Sequence, residues 1–76
     1  LIDIDVVPNP NKGNFILSTT EGIISALELY DISGKLISVT RGISNSISIE
    51  GLDSGTYIYR AKIGETLGVG KVMVVE

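Results

Sequence analysis

The stretch TYIYRAKI, residues 56–63, alternates without a break: Tyr57, Tyr59, Ala61 and Ile63 fall on one face, Thr56, Ile58, Arg60 and Lys62 on the other. A period of two is the signature of a pleated strand with one side buried. Working outward, the same period returns in short runs. Ile2–Val7 has Ile2, Ile4 and Val6 on one side. Phe15–Ser18 pairs Phe15 with Leu17, and Ile24–Asp31 pairs Leu27 with Leu29. Lys35–Thr40 sets Ile37 and Val39 together, and Ser46–Glu50 turns Ile47 and Ile49 inward. Lys71–Val75 closes the chain, with Val72 and Val74 facing one way and Lys71, Met73 and Val75 the other. β-Branched residues dominate these runs, as pleated surfaces favour. No segment repeats at the helical period. The expectation is an all-β fold, a small immunoglobulin-like antiparallel β-sandwich of about seven short strands.

Turn chemistry punctuates the runs. Ser33-Gly34 reads as a tight hairpin, Gly34 supplying a positive φ and Asp31 accepting backbone N–H groups across the turn. Asp53-Ser54-Gly55 and Gly64-Glu65-Thr66 mark two further turns. Both prolines fall in VVPNPNKGNF, residues 6–15. Pro8 and Pro10 fix φ, lack an N–H and push Val7 and Asn9 out of the helical region. This segment is therefore an edge or a bend, never a central strand. It reads either as a stiff corner between linker and sandwich or as a proline pair that only blunts an edge.

The chain has 76 residues and so one domain, near the lower limit for a core without staples. There is no cysteine and no histidine, which removes disulfides, thiolate metal sites, the commonest general base and the commonest zinc ligand. A net charge of -3, with six scattered basic residues, argues against nucleic acid as a partner. No apolar run approaches the roughly 18 residues of a membrane span. The opening LIDIDVVPNP looks like the end of a linker plus a domain and carries no basic secretory leader. The reading is a C-terminal fragment of a longer protein, with residues 1–7 as linker end and 8–76 as the domain.

Candidate chemistry is sparse, and no catalytic, cofactor-binding or metal-binding residue is expected. Asp3 and Asp5 share a strand face and form a potential carboxylate pair, against which stands a solvated linker. Asp31, Ser33 and Glu28 offer oxygen ligands for calcium, but without the spacing of an EF-hand loop; turn capping by Asp31 is the simpler role. Tyr57 and Tyr59 make either a sugar-binding platform or core with hydroxyls at the rim. KVMVVE, residues 71–76, is apolar on both faces, so it is either a buried strand or an edge for another protein to pair with, including a second copy in an edge-strand homodimer.

Three motifs together resemble a known family, the type A C-terminal sorting domain of the type IX (Por) secretion system of Bacteroidota. Pro8-Asn9-Pro10-Asn11-Lys12-Gly13 with Phe15 is similar to its opening motif. Leu29-Tyr30-Asp31-Ile32-Ser33-Gly34-Lys35 resembles its central hairpin. Leu52-Asp53-Ser54-Gly55-Thr56-Tyr57 resembles its L-x-x-G-x-Y turn, and Lys71–Val75 its terminal strand. The similarity runs over residues 6–76.

The resemblance implies a delivery label and no enzyme. A cargo domain of the same chain reaches the periplasm by its own signal, and the folded label is recognised by the outer-membrane translocon and its shuttle protein. A cell-surface sortase then usually removes it, cutting ahead of Pro8, and the cargo is anchored at the surface or released. The signal motif would comprise Pro8, Asn9, Pro10, Gly13, Asp31, Gly34, Lys35, Leu52, Gly55 and Tyr57. Translocon recognition would fall on Lys71, Val72, Met73, Val74 and Val75. The chain departs from the family at Glu76, where members often end on a basic or apolar residue. Against this stand two other readings, an immunoglobulin-like spacer and a carbohydrate-binding module of a secreted enzyme.

Overall fold

The computed structural model describes residues 4–76, Ile43 through its backbone alone. Seven strands follow one another: β1 (Ile4–Val7), β2 (Phe15–Thr19), β3 (Ile24–Asp31), β4 (Leu36–Ser44), β5 (Ser46–Ile49), β6 (Gly55–Ile63) and β7 (Thr66–Val74). They form a three-stranded sheet, β1-β2-β5, and a four-stranded sheet, β4-β3-β6-β7. Every strand pair is antiparallel. The all-β sandwich expected from the alternation is the observed architecture.

The core is what the alternation selects. Phe15 and Leu17 of β2 and Ile47 and Ile49 of β5 face Ile24, Leu27 and Leu29 of β3, Tyr57, Tyr59, Ala61 and Ile63 of β6, and Val72 and Val74 of β7. Ile4, Val6 and Leu52 pack against its rim. β2, β3, β5, β6 and β7 each hide one side because a single sheet cannot bury its own apolar face, whereas β4, at the sheet edge, adds nothing to the core and leaves Ile37 and Val39 exposed. Ile2 and Asp3, which the alternation puts with β1 and with a carboxylate pair, lie outside the described residues; Asp5 is exposed.

Two strands are longer than the sequence suggests. β4 runs on to Ser44, pairing Arg41 with Ala26 and Ser44 with Ile24. β7 begins at Thr66 and stays in register with β6 for nine pairs, from Ile63↔Thr66 to Gly55↔Val74. Gly68 and Gly70 lie within this longer strand. In the fold Gly70 is the cross-strand partner of Tyr59, and a Cβ there would fall on the tyrosine ring, 2.6 Å from Cε2 and closer still to Cζ and the hydroxyl. The missing side chain is replaced by an aromatic ring.

Candidate functional site

Residues 8–13 are placed by hydrogen bonds centred on Asn9, Asn11 and Gly13. Asn11 is buried, and each of its polar groups has a partner. Its N–H donates to the Met73 carbonyl at 3.0 Å and its carbonyl accepts from the Val75 N–H at 2.7 Å. Its side-chain Oδ1 accepts from the Gly13 N–H at 2.9 Å, and its Nδ2 donates to the Pro8 carbonyl at 3.0 Å. Asn9 does with its side chain what a strand does with its backbone. Oδ1 accepts from the Met73 N–H at 3.1 Å and Nδ2 donates to the Lys71 carbonyl at 3.3 Å. Proline cannot donate to a ladder; the asparagines between and after the two prolines supply the donors instead.

The outer edge of β7 is thereby sealed from Lys71 to Val75, with β6 on the other side. This overturns the reading of Lys71–Val75 as a free edge for strand pairing. Val72 and Val74 are buried in the core, while Lys71, Met73 and Val75 are exposed. From Lys71 to Val75 the strand therefore exposes one face and not an edge.

Gly13 ties the opening motif to the L-x-x-G-x-Y turn. Its carbonyl accepts from the Leu52 N–H at 3.1 Å. Its φ is +114°, and a Cβ would lie 2.6 Å from the Leu52 carbonyl oxygen, so only glycine fits. Further along the turn the Tyr57 hydroxyl donates to the Asp53 carbonyl at 2.7 Å. This is the tyrosine corner of β-sandwiches, a ring that pins the chain a few residues upstream. Gly55, at φ +152°, passes beside that ring.

Asp31 caps the β3–β4 hairpin. One oxygen, Oδ1, accepts from the Ser33 N–H at 2.9 Å, the Ser33 hydroxyl at 2.6 Å and the Lys35 N–H at 3.0 Å. The Ser33 hydroxyl bond, and then the Lys35 N–H, hold its carboxyl below the ordinary value of 3.8. Glu28 pairs instead with Arg60 at 3.7 Å, so the oxygen trio considered for calcium is not assembled. Among the described residues no three His, Cys, Asp or Glu side chains gather as metal ligands.

The tyrosine platform is overturned as well. Tyr57 and Tyr59 are 8% and 7% exposed, with their rings in the core. Burial pushes the Tyr59 hydroxyl up from its usual value, with Asp5 adding to the effect.

The register brings all these pieces to one end of the sandwich. Asp31 pairs with Tyr57 and Tyr57 with Val72 across neighbouring strands, and Gly55 pairs with Val74, which bridges to Asn11. We call this end the motif pole. Ile4 lies at the other end, opposite Thr19, so the chain enters far from where β7 finishes. Of the residues singled out in sequence, Asn9, Gly13, Asp31, Leu52, Gly55, Tyr57 and the last strand are joined here. Gly34 and Lys35 complete the hairpin, and Pro8 and Pro10 stand exposed beside Asn9. Asn11 is the member that residue-type reasoning passed over. Its signal was its place between Pro10 and Gly13, which only the fold shows to be a junction.

A small antiparallel sandwich whose opening segment is welded to its closing strand is the class of domain this geometry defines. The family comparison makes it specific. Residues 5–76 match the model of the secretion system C-terminal sorting domain, and the chain belongs to that family of type IX secretion signals. No curated protein matches the chain.

Proposed function

We propose that this C-terminal sorting signal, whose family membership implies export and contact with the type IX secretion machinery, is read by that machinery at its motif pole. The observation that carries this is the convergence itself: the three motifs and the terminal strand share one end, while the chain enters at the other. Cargo attached ahead of Ile4 would leave the motif pole uncovered for the outer-membrane translocon and its shuttle.

The residues divide by burial. Pro8, Asn9, Pro10, Lys71, Met73 and Val75 form the readable surface, and Gly13, Tyr57, Val72 and Val74 hold its shape. The sortase cut lies ahead of Ile4, because β1 is hydrogen-bonded in register to β2 and a protease needs an unpaired strand. The cargo is then anchored at the cell surface or released.

The test is an export assay. Residues 1–76 are fused behind a signal peptide and a fluorescent protein in a Bacteroidota host with a working type IX system, and in a translocon-null control. The reporter is expected at the surface or in the medium of the working host only. Retention in the periplasm of both overturns the reading. Deleting Lys71–Glu76 is a poor second step, because it takes Val72 and Val74 from the core and unfolds the domain. Met73→Ser and Val75→Ser change the exposed face alone and are expected to reduce export with the fold intact.

A further inference from the structure

The seal on β7 is partial. Asn9 and Asn11 occupy the Lys71 carbonyl, both outward backbone groups of Met73 and the Val75 N–H. By the alternation of an antiparallel strand, the N–H and C=O of Leu67 and Val69 point outward too. β7 is the last strand of its sheet, and no strand among the described residues pairs with this half of it. Leu67 and Val69 are 52% and 63% exposed. Thr66-Leu67-Gly68-Val69-Gly70 carries no charge and no proline, and its pairing with β6 has no bulge. A flat, uncharged, regular edge is what natural sheets normally avoid. β4, the opposite edge, is protected: its pairing with β3 is broken by two register shifts, and Arg41 sits on it. Shifts of that kind bend and twist a strand, and an edge charge opposes pairing.

We infer that this half-edge pairs with the same segment of a second copy, antiparallel about a two-fold axis at Gly68. The two four-stranded sheets then become one continuous sheet. The charges fix the register. Residues equidistant from Gly68 face each other, so Leu67 meets Val69 of the second copy and Lys71 meets Glu65 of the second copy, twice by symmetry. An axis at Val69 would set Lys71 against Leu67, and one at Leu67 would set Glu65 against Val69; neither pairs the charges. The length fits as well. The Gly64-Glu65 turn bounds the open segment on one side and the Asn9 seal on the other. The second copy's turn therefore abuts the seal instead of overrunning it.

The contact is small, below the roughly 1,200 Å² of stable complexes, so the dimer is weak and concentration-dependent. Sedimentation equilibrium of the 76-residue chain from about 20 μM to about 2 mM should show it, with slowed amide exchange at Leu67 and Val69 as concentration rises. Lys71→Glu and Glu65→Lys, both at exposed positions, should each weaken association on the order of tenfold, and the double reversal should restore it to within about twofold. A chain monomeric throughout overturns the inference. So does a dimer indifferent to the single reversals, or one protecting β4 amides instead. The measurement needs purified protein alone, so its outcome is independent of whether the domain directs export.

Discussion

Tyr59 of β6 stands over Gly70 of β7, its cross-strand partner, and its ring fills the space a side chain at Gly70 would take. The pair keeps β7 regular through a glycine that would otherwise weaken it. Gly70→Ala forces a buried ring to move and is expected to destabilise the fold by about 1–3 kcal/mol, as overpacking does. A denaturant melt showing equal or higher stability would mean the ring has somewhere else to go.

Gly13 and Gly34 both hold positive φ, +114° and +94°, but their surroundings differ. At Gly34 an added Cβ meets nothing within 4 Å, so Gly34→Ala costs only backbone strain, about 1–2 kcal/mol. At Gly13 the Cβ meets the Leu52 carbonyl, which cannot swing aside as a side chain can. Gly13→Ala should cost about 3 kcal/mol or more. Paired urea melts check the order, and an equal loss at the two sites would sink the argument from close approach.

Asn9 and Asn11 seal neighbouring amides of the same strand by different means. Met73 N–H donates to the Asn9 side chain, whereas Val75 N–H donates to the Asn11 backbone. Asn9→Ala should therefore speed hydrogen exchange at Met73 far more than at Val75. Uniform acceleration along the strand would instead indicate that the whole segment 8–11 had come away.

Asp31 couples the hairpin to pH. Its folded-state carboxyl lies below the ordinary value of 3.8, so the folded state takes up the proton less readily than the unfolded chain. The stabilisation is present above that ordinary value and is lost as pH falls through the lowered folded-state value. Asp31→Asn should cost stability near neutral pH and lose less than the parent on acidification, so that the two curves converge at low pH. Thermal melts from about pH 7 to about pH 2 test this, and parallel curves would remove Asp31 from the acid response.

The amino-acid order alone determined the strands, which side chains share a face and the turns at Asp31–Gly34 and Asp53–Gly55, because period-two alternation and positive-φ glycines are local demands. It also carried the family, since motif order along the chain needs no coordinates. It misjudged the extent of β7, because the effect of Gly70 depends on the Tyr59 ring that stands across the sheet. Only the tertiary structure decided that Tyr57 and Tyr59 are core, because the strand period tells which side chains share a face but not which face is covered. Only the fold showed that the opening motif seals the final strand. Asn9 and Met73 are 64 residues apart in sequence, and their bond exists only after both sheets have closed.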